Sequence, residues 1–161
     1  MTSGRFWRIA AAAGMTATAV AAGCGDNGAP CTTCAPMEGR YPLEFEAGTL
    51  PADCTSLGVG LPQGPLDIQR SGSGLAATMD GVPMEGTLFQ GNDFNLLGAQ
   101  SGLDGGSTQF SLSGRYTPGP LDGGTGSISG SFTGTYARGS AQGTRRCSIF
   151  RGYTATQQGQ P

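Results

Sequence analysis

Two cysteines, Cys31 and Cys34, form a C-x-x-C motif and are the residues of this chain whose spacing most directly suggests chemistry. Such a motif is typical of a thioredoxin-like redox site when a strand precedes it and a helix follows it. Here two prolines flank it, and neither pattern is present. A four-cysteine zinc site would need a second close pair, whereas Cys54 and Cys147 lie far apart. The motif therefore predicts disulfide bonding, and no metal site.

Carboxylates are the other side chains that could do chemistry. Glu44 and Glu46 would lie on one face of a strand, about 7 Å apart, a separation that glycosidases use. The same pattern is typical of the solvent-facing side of a half-buried strand. Asp104 and Asp122 belong to two copies of LDGG, but a calcium site needs about six oxygens. These aspartates predict turns, and we name no catalytic residue.

Composition excludes several classes of function. The chain contains no histidine and no lysine, so all nine basic residues are arginine. Histidine-based nucleophile pairs and lysine Schiff bases are therefore excluded. The net charge is -2, and the longest basic run is Arg145-Arg146, which we interpret as a solvated sheet edge that hinders association with other sheets. We expect neither an enzyme nor a cofactor nor a nucleic-acid partner.

The N-terminus has the layout of an export signal. Arg5 and Arg8 precede a stretch, residues 9–22, that carries no charge, and small residues follow. The stretch is too short for a permanent membrane span. The sequence therefore predicts a signal peptide over residues 1–23, the alternative being an ordinary alanine-rich helix.

The end of this segment, Ala21-Ala22-Gly23-Cys24, resembles the lipobox of bacterial lipoproteins. The resemblance implies that Cys24 becomes the lipid-modified first residue of the mature chain and holds it at a membrane. Because Gly25 and not aspartate follows, sorting as in enterobacteria implies the outer membrane. The alternative is cleavage after the A-x-A pattern that ends at Ala21, which would leave a soluble secreted protein.

The number of cysteines agrees with the lipobox resemblance. If Cys24 carries lipid, Cys31, Cys34, Cys54 and Cys147 remain and can form two disulfides in an oxidising compartment. Three connectivities are possible. We expect both members of the C-x-x-C motif to bond into the domain, so that a tether over residues 24–40 is pinned to a β domain over residues 41–161.

Period-two alternation of apolar and polar residues dominates from Tyr41 onward, which predicts strands. Asp80-Gly81 and Asn92-Asp93 predict turns between them. The strongest strands are YPLEFEA, STQFSLSGRYT, GSISGSFTGTYA and RRCSIFRGYTA; weaker ones are CTSLGVG, LDIQ, LAATM, VPMEGTLFQ and DFNLLGA.

This pattern predicts an all-β fold: an antiparallel meander forming a small closed or partly closed barrel of about eight strands. Glycines at inward positions, Gly114, Gly130 and Gly134, favour a sharply bent sheet, because glycine otherwise weakens a strand. A β-sandwich is the alternative.

Two functions fit a non-catalytic β domain in the cell envelope. The first is a binding module that holds a small apolar or amphipathic ligand. The second is a structural or interaction protein, whose core is filled by its own side chains and whose Ser/Thr faces contact envelope partners. The candidate ligand-binding residues are Phe110, Leu112, Ile128, Phe132 and Tyr136.

Overall fold

The computed structural model describes residues 28–102, 105–120, 124–140 and 143–158. These residues form an all-β fold in which nine antiparallel strands make one curled half-barrel sheet, with a single short helix. The elements are β1 (Gly39–Tyr41), β2 (Glu44–Phe45), α1 (Ala52–Ser56), β3 (Leu66–Ser71), β4 (Gly74–Met79), β5 (Val82–Leu88), β6 (Asp93–Ser101), β7 (Ser107–Thr117), β8 (Ser127–Ser140) and β9 (Gly143–Thr156).

The strands from β3 to β9 form the predicted meander, because each pairs with the next along the chain. Its tight turns use the residue types that tolerate positive φ: Asp80 has φ 52° and Asn92 has φ 66°. The four weaker strand predictions that fall within β3, β4, β5 and β6 are confirmed. A β-sandwich is not the architecture, since the described strands belong to a single sheet.

The two edges of this sheet meet on one stretch of chain, residues 39–46, which we call the closing segment. Arg40 pairs with Asp67 of β3 on one side and with Gln158 on the other. Further along, Glu44 and Phe45 pair with β9, and the Glu46 amide donates to the Gly152 carbonyl at 2.9 Å. The predicted strand YPLEFEA is therefore two short strands, one on each edge, separated at Pro42 and Leu43.

The inward positions of the strands form one apolar core, as the alternation predicts. Each strand of the meander presents every second side chain to the concave face, and no described polar or charged residue is fully buried there. The largest completely buried side chains are those of Met37, Tyr41, Leu66, Met79, Met84, Leu88, Leu96, Leu112, Ile128, Phe132, Ile149 and Tyr153.

Inward glycines let neighbouring strand backbones approach closely. Gly114 of β7 pairs directly with Gly130 of β8. A Cβ on Gly130 would overlap the Ser113 carbonyl, and one on Gly114 would overlap the Ser129 carbonyl. Only residues without a side chain permit this close approach of β7 and β8, which a strongly curled sheet requires.

Both ends of the curled sheet are covered by chain. Residues 28–38, which we call the lid, lie at the end where the β3–β4, β5–β6 and β7–β8 connections occur; we call this the lid end. Helix α1 and residues 57–65 lie at the opposite end, the helix end, beside the start of β9. The described part of the predicted tether 24–40 is thus packed on the domain, with Met37 completely buried.

Two further predictions are wrong. CTSLGVG is not a strand: its first residues belong to α1 and the rest form the loop that covers the helix end. The expected disulfide connectivity is also wrong, because Cys31 bonds to Cys34 and Cys54 bonds to Cys147. The second bridge spans 93 residues of sequence and ties α1 to β9.

We predict that Gly130→Ala lowers the free energy of unfolding by about 3 kcal/mol, because the new methyl group must displace backbone. Urea denaturation measures the effect. The matched control is Gly60→Ala, since a Cβ there would be 3.8 Å from the nearest atom, a Leu50 methyl. The control should change stability by no more than about 0.5 kcal/mol. Equal stability of the two variants would contradict the close approach of β7 and β8.

Candidate functional site

The five residues predicted to hold a ligand all belong to the one buried apolar core, where Phe110 contacts both Phe132 and Tyr136. Phe110 lies with its ring centroid 5.4 Å from that of Phe132 and 6.0 Å from that of Tyr136, in edge-on geometry. Phe45 of the closing segment contacts Phe132 at 5.3 Å. All five predicted residues are buried, Phe132 and Leu112 completely. The structure therefore buries all five side chains in one core, and the three aromatic ones pack there through Phe110.

Protein atoms also occupy the space beside the inward glycines. The Tyr153 hydroxyl lies 2.8 Å from the position that a Cβ on Gly114 would take. The rings of Phe132 and Tyr136 flank Gly134, with the Phe132 ring 2.8 Å from the corresponding position. Glycine here makes room for aromatic rings from the same core.

The lid is held by a side chain that sequence reasoning missed. Arg70 occupies an inward position at the end of β3, and its guanidinium reaches over the lid end. Its nitrogens donate to the carbonyls of Cys31 at 3.1 Å, Cys34 at 2.8 Å and Ala35 at 3.1 Å. One arginine thus satisfies three backbone acceptors of a segment without regular structure.

Three further side chains complete these lid contacts. The Tyr116 hydroxyl donates to the Pro36 carbonyl at 2.6 Å, and the Tyr41 hydroxyl donates to the Met37 carbonyl at 2.9 Å. Gln157 donates through its amide to the Glu38 carbonyl at 2.6 Å. Burial raises the pKa of both tyrosines, so the hydroxyls remain donors at neutral pH.

The helix end is fixed by a covalent bond and by hydrogen bonds. The Cys54–Cys147 disulfide joins α1 to β9, and Arg145 donates to the Ser56 hydroxyl at 2.6 Å. The Tyr136 hydroxyl donates to the Gly60 carbonyl at 2.7 Å. Burial and the nearby Asp80 carboxylate raise the pKa of Tyr136 to about 12, which keeps this donor protonated.

The C-x-x-C motif lies within the lid as a closed disulfide. Cys31 is buried, and its amide donates to the Leu88 carbonyl at 2.8 Å. Arg70 holds the carbonyls of both cysteines. The motif therefore shapes the lid where it meets the β5–β6 connection.

The outer face of β6 to β9 carries the two most exposed large apolar side chains described. Leu97 is 61% exposed and Phe150 is 65% exposed. The register places them in one row across the four strands, with Ser111 and Thr133 between them. Beside this row lies an open groove of about 420 Å³, none of whose described lining side chains is charged: Leu97, Ala99, Gln109, Phe110, Ser111, Thr133 and Thr135.

The remaining candidates from the sequence are dispersed or lie outside the described residues. Glu44 and Glu46 are both exposed on the closing segment. Arg146 is exposed on β9. Cys24, Asp104 and Asp122 lie outside the described residues. Among the residues that the structure covers, no group of three or more His, Cys, Asp or Glu side chains could hold a metal ion. No helix in the described ranges is long and apolar enough to cross a membrane.

Neither the lid contact of Arg70 nor the exposed pair Leu97 and Phe150 was predicted from the sequence. All three residues interrupt the period-two alternation of apolar and polar side chains. Arg70 follows Leu66 and Ile68 at an inward position, where an arginine at a strand end can reach over the rim. Leu97 and Phe150 are apolar at outward positions, each directly after an inward apolar residue. Breaks in a period-two pattern thus mark the lid contact and the outer row.

No protein-family model, no curated protein and no solved structure matches this chain.

We predict that Tyr153→Phe raises the free energy of unfolding by about 1 kcal/mol. The Tyr153 hydroxyl is buried, and no described residue is its hydrogen-bond partner. Removing it therefore removes a desolvated polar group. Thermal denaturation of the purified domain measures the change.

Tyr136→Phe is the matched control for this prediction. It removes a made hydrogen bond to Gly60, so stability should fall by about 1 kcal/mol. Opposite signs for the two variants are expected. A loss of stability in Tyr153→Phe as large as in Tyr136→Phe would show that the Tyr153 hydroxyl has a partner.

Proposed function

We propose that this protein is a lipid-anchored, non-catalytic domain of the bacterial cell envelope that acts through its outer surface. Its barrel is a rigid scaffold filled by its own side chains. Its partners are the membrane, through lipid on Cys24, and an envelope component that contacts the outer face of β6 to β9.

The observation that carries this proposal is the filled interior. Among the residues suited to line a ligand cavity, Phe110 of β7 contacts Phe132 and Tyr136 of β8, and the lid and the helix end cover both openings. The described groove of about 420 Å³ lies on the outside of the sheet. A domain built this way offers surface, and not an internal pocket, for recognition.

Two observations support placement outside the cytoplasm. The two disulfides are consistent with an oxidising compartment, where such bonds persist. The four cysteines of the described domain are used up in pairs, which leaves Cys24 as the single cysteine available for lipid. The lipobox-like sequence that ends at Cys24 supports attachment of lipid to this cysteine. The residue after it, Gly25, supports sorting to the outer membrane.

The outer face of β6 to β9 fits a neutral partner rich in hydrogen-bonding groups. Hydroxyl pairs follow the strands there, with Ser113 and Ser131 oxygens 3.0 Å apart and Thr135 and Ser148 oxygens 3.2 Å apart. Charged side chains are absent from the described lining of the groove, while Leu97 and Phe150 supply exposed apolar area. The groove, whose described lining is uncharged, does not select a strongly charged partner.

The anchor is tested by intact-mass measurement of the protein purified from membranes of a bacterial host. We expect a chain that begins at Cys24, carries lipid and contains two disulfides. Cys24→Ser should remove the lipid mass and release the protein from the membrane fraction. An unmodified Cys24 in a chain that begins earlier would instead support simple secretion.

The filled core is tested with a matched pair of phenylalanine variants and an apolar fluorescent probe. Phe132 is 0% exposed and Phe150 is 65% exposed. We expect Phe132→Ala to lose about 3–5 kcal/mol of stability and Phe150→Ala to lose no more than about 0.5 kcal/mol. The probe should bind to Phe132→Ala through the new cavity and not to the wild type. Saturable probe binding by the wild type would favour the ligand-binding alternative.

A further inference from the structure

The first described residues, 28–30, are bound to the β5–β6 connection at the lid end. The Gln90 amide donates to the Ala29 carbonyl at 2.9 Å, and Pro30 forms an isolated bridge with Phe89. Gly28 also lies on this connection, since a Cβ there would be 3.4 Å from the Gln90 carbonyl oxygen. The chain is thus fixed to the β5–β6 connection within its first described residues.

Little chain separates this attachment from Cys24. Residues 25–27 lie between Cys24 and Gly28, so the two Cα atoms can be at most about 14 Å apart. The barrel is longer than that: β7 alone has 11 residues, which corresponds to about 35 Å. A lipid on Cys24 therefore holds the lid end within this short distance of the membrane, whereas the helix end is restrained only through the length of the domain.

The described surface of the lid end carries hydrogen-bonding side chains and an exposed pair of opposite charges. Asp93 and Arg115 lie 2.8 Å apart at the start of β6 and near the end of β7. The hydrogen bond from Arg115 lowers the pKa of the Asp93 carboxyl, so the pair stays charged and matched. Gln90 and Thr117 are exposed nearby. Such a surface can lie beside lipid headgroups without requiring a net charge on them.

From this geometry we infer that the lid end faces the bilayer at short range and that lipid headgroups are the partner of its surface. The inference rests on the proposed lipid on Cys24. The helix end and its disulfide then point away from the membrane. In this arrangement the lid is a fixed part of the domain that lies between the sheet and the membrane, and not a flexible tether.

Tryptophan fluorescence can test this orientation, because the chain has one tryptophan, Trp7, and it lies in the predicted signal. Gln90→Trp places a probe at the lid end, and Gln63→Trp places one at the helix end, both at exposed glutamines. The acylated proteins are reconstituted into phosphatidylcholine vesicles that contain spin-labelled headgroups. We expect Gln90→Trp to be quenched severalfold more strongly than Gln63→Trp.

A third protein carries Gln90→Trp together with a Gly/Ser insertion of about 15 residues between Asp26 and Asn27, which adds about 20 Å of mean reach. Its quenching should fall toward the level of Gln63→Trp. Equal quenching of the two probes, or quenching unchanged by the insertion, overturns the orientation. The mass of each sample reports failure of the proposed function separately: a protein without lipid refutes the anchor, whereas an acylated protein with unquenched Gln90→Trp refutes only this inference.

Discussion

The close approach of strand backbones at the inward glycines is the constraint on which the rest of this structure depends. At Gly114 and Gly130 two strands come so near that no side chain fits between either residue and the opposite backbone. The same holds at Gly86, where a Cβ would overlap the Asn95 carbonyl, and at Gly98, where it would overlap the Pro83 carbonyl. These contacts distribute the bend over β5 to β8, so one sheet can curl until both of its edges reach the closing segment.

The curled sheet explains why the interior is filled. A strongly bent sheet of this size encloses a narrow space, and the aromatic rings of Phe110, Phe132, Tyr136 and Tyr153 occupy it together with the aliphatic side chains. The two ends are then covered by the lid and by α1 with residues 57–65, and carbonyls in the irregular parts of both would be unsatisfied without donors from the sheet. Arg70, Tyr116 and Tyr136 provide those donors. A filled core, an oxidised framework and an outer groove with an uncharged described lining are the properties that such a molecule brings to a surface role.

Alternation in the sequence was sufficient to predict β3 to β9 and the inward face, because burial on one side of a sheet imposes a period of two. It failed where burial depends on distant partners. Residues 28–38 have no periodic pattern, and their place on the domain depends on donors far along the chain, such as Tyr116 and Gln157. Helix α1 is too short to show a helical period, although Pro51 and Asp53 at its start are typical of a helix N-terminus.

Disulfide connectivity could not be read from the sequence for a similar reason. Cys54 meets Cys147 only because the loop after β2 folds back across the helix end, a path set by tertiary contacts. The candidate ligand-binding residues were grouped correctly as neighbours on one face. Whether such a face encloses a cavity depends on the radius of the curled sheet, which the pattern of apolar residues does not specify.

The closing segment has a consequence for the order in which the molecule assembles. Strands β3 to β9 can form one hairpin after another, since each pairs with its neighbour along the chain. Arg40, however, gains its second pairing partner only from Gln158, the last described residue, and Cys54 gains its disulfide partner only from Cys147. During synthesis the N-terminus emerges first, so β1 can pair with β3 early, but its second pairing and the Cys54–Cys147 bond form only when nearly all the described residues are available. Until that moment the growing sheet has two open edges, which is the stage at which it is most prone to pair with another chain.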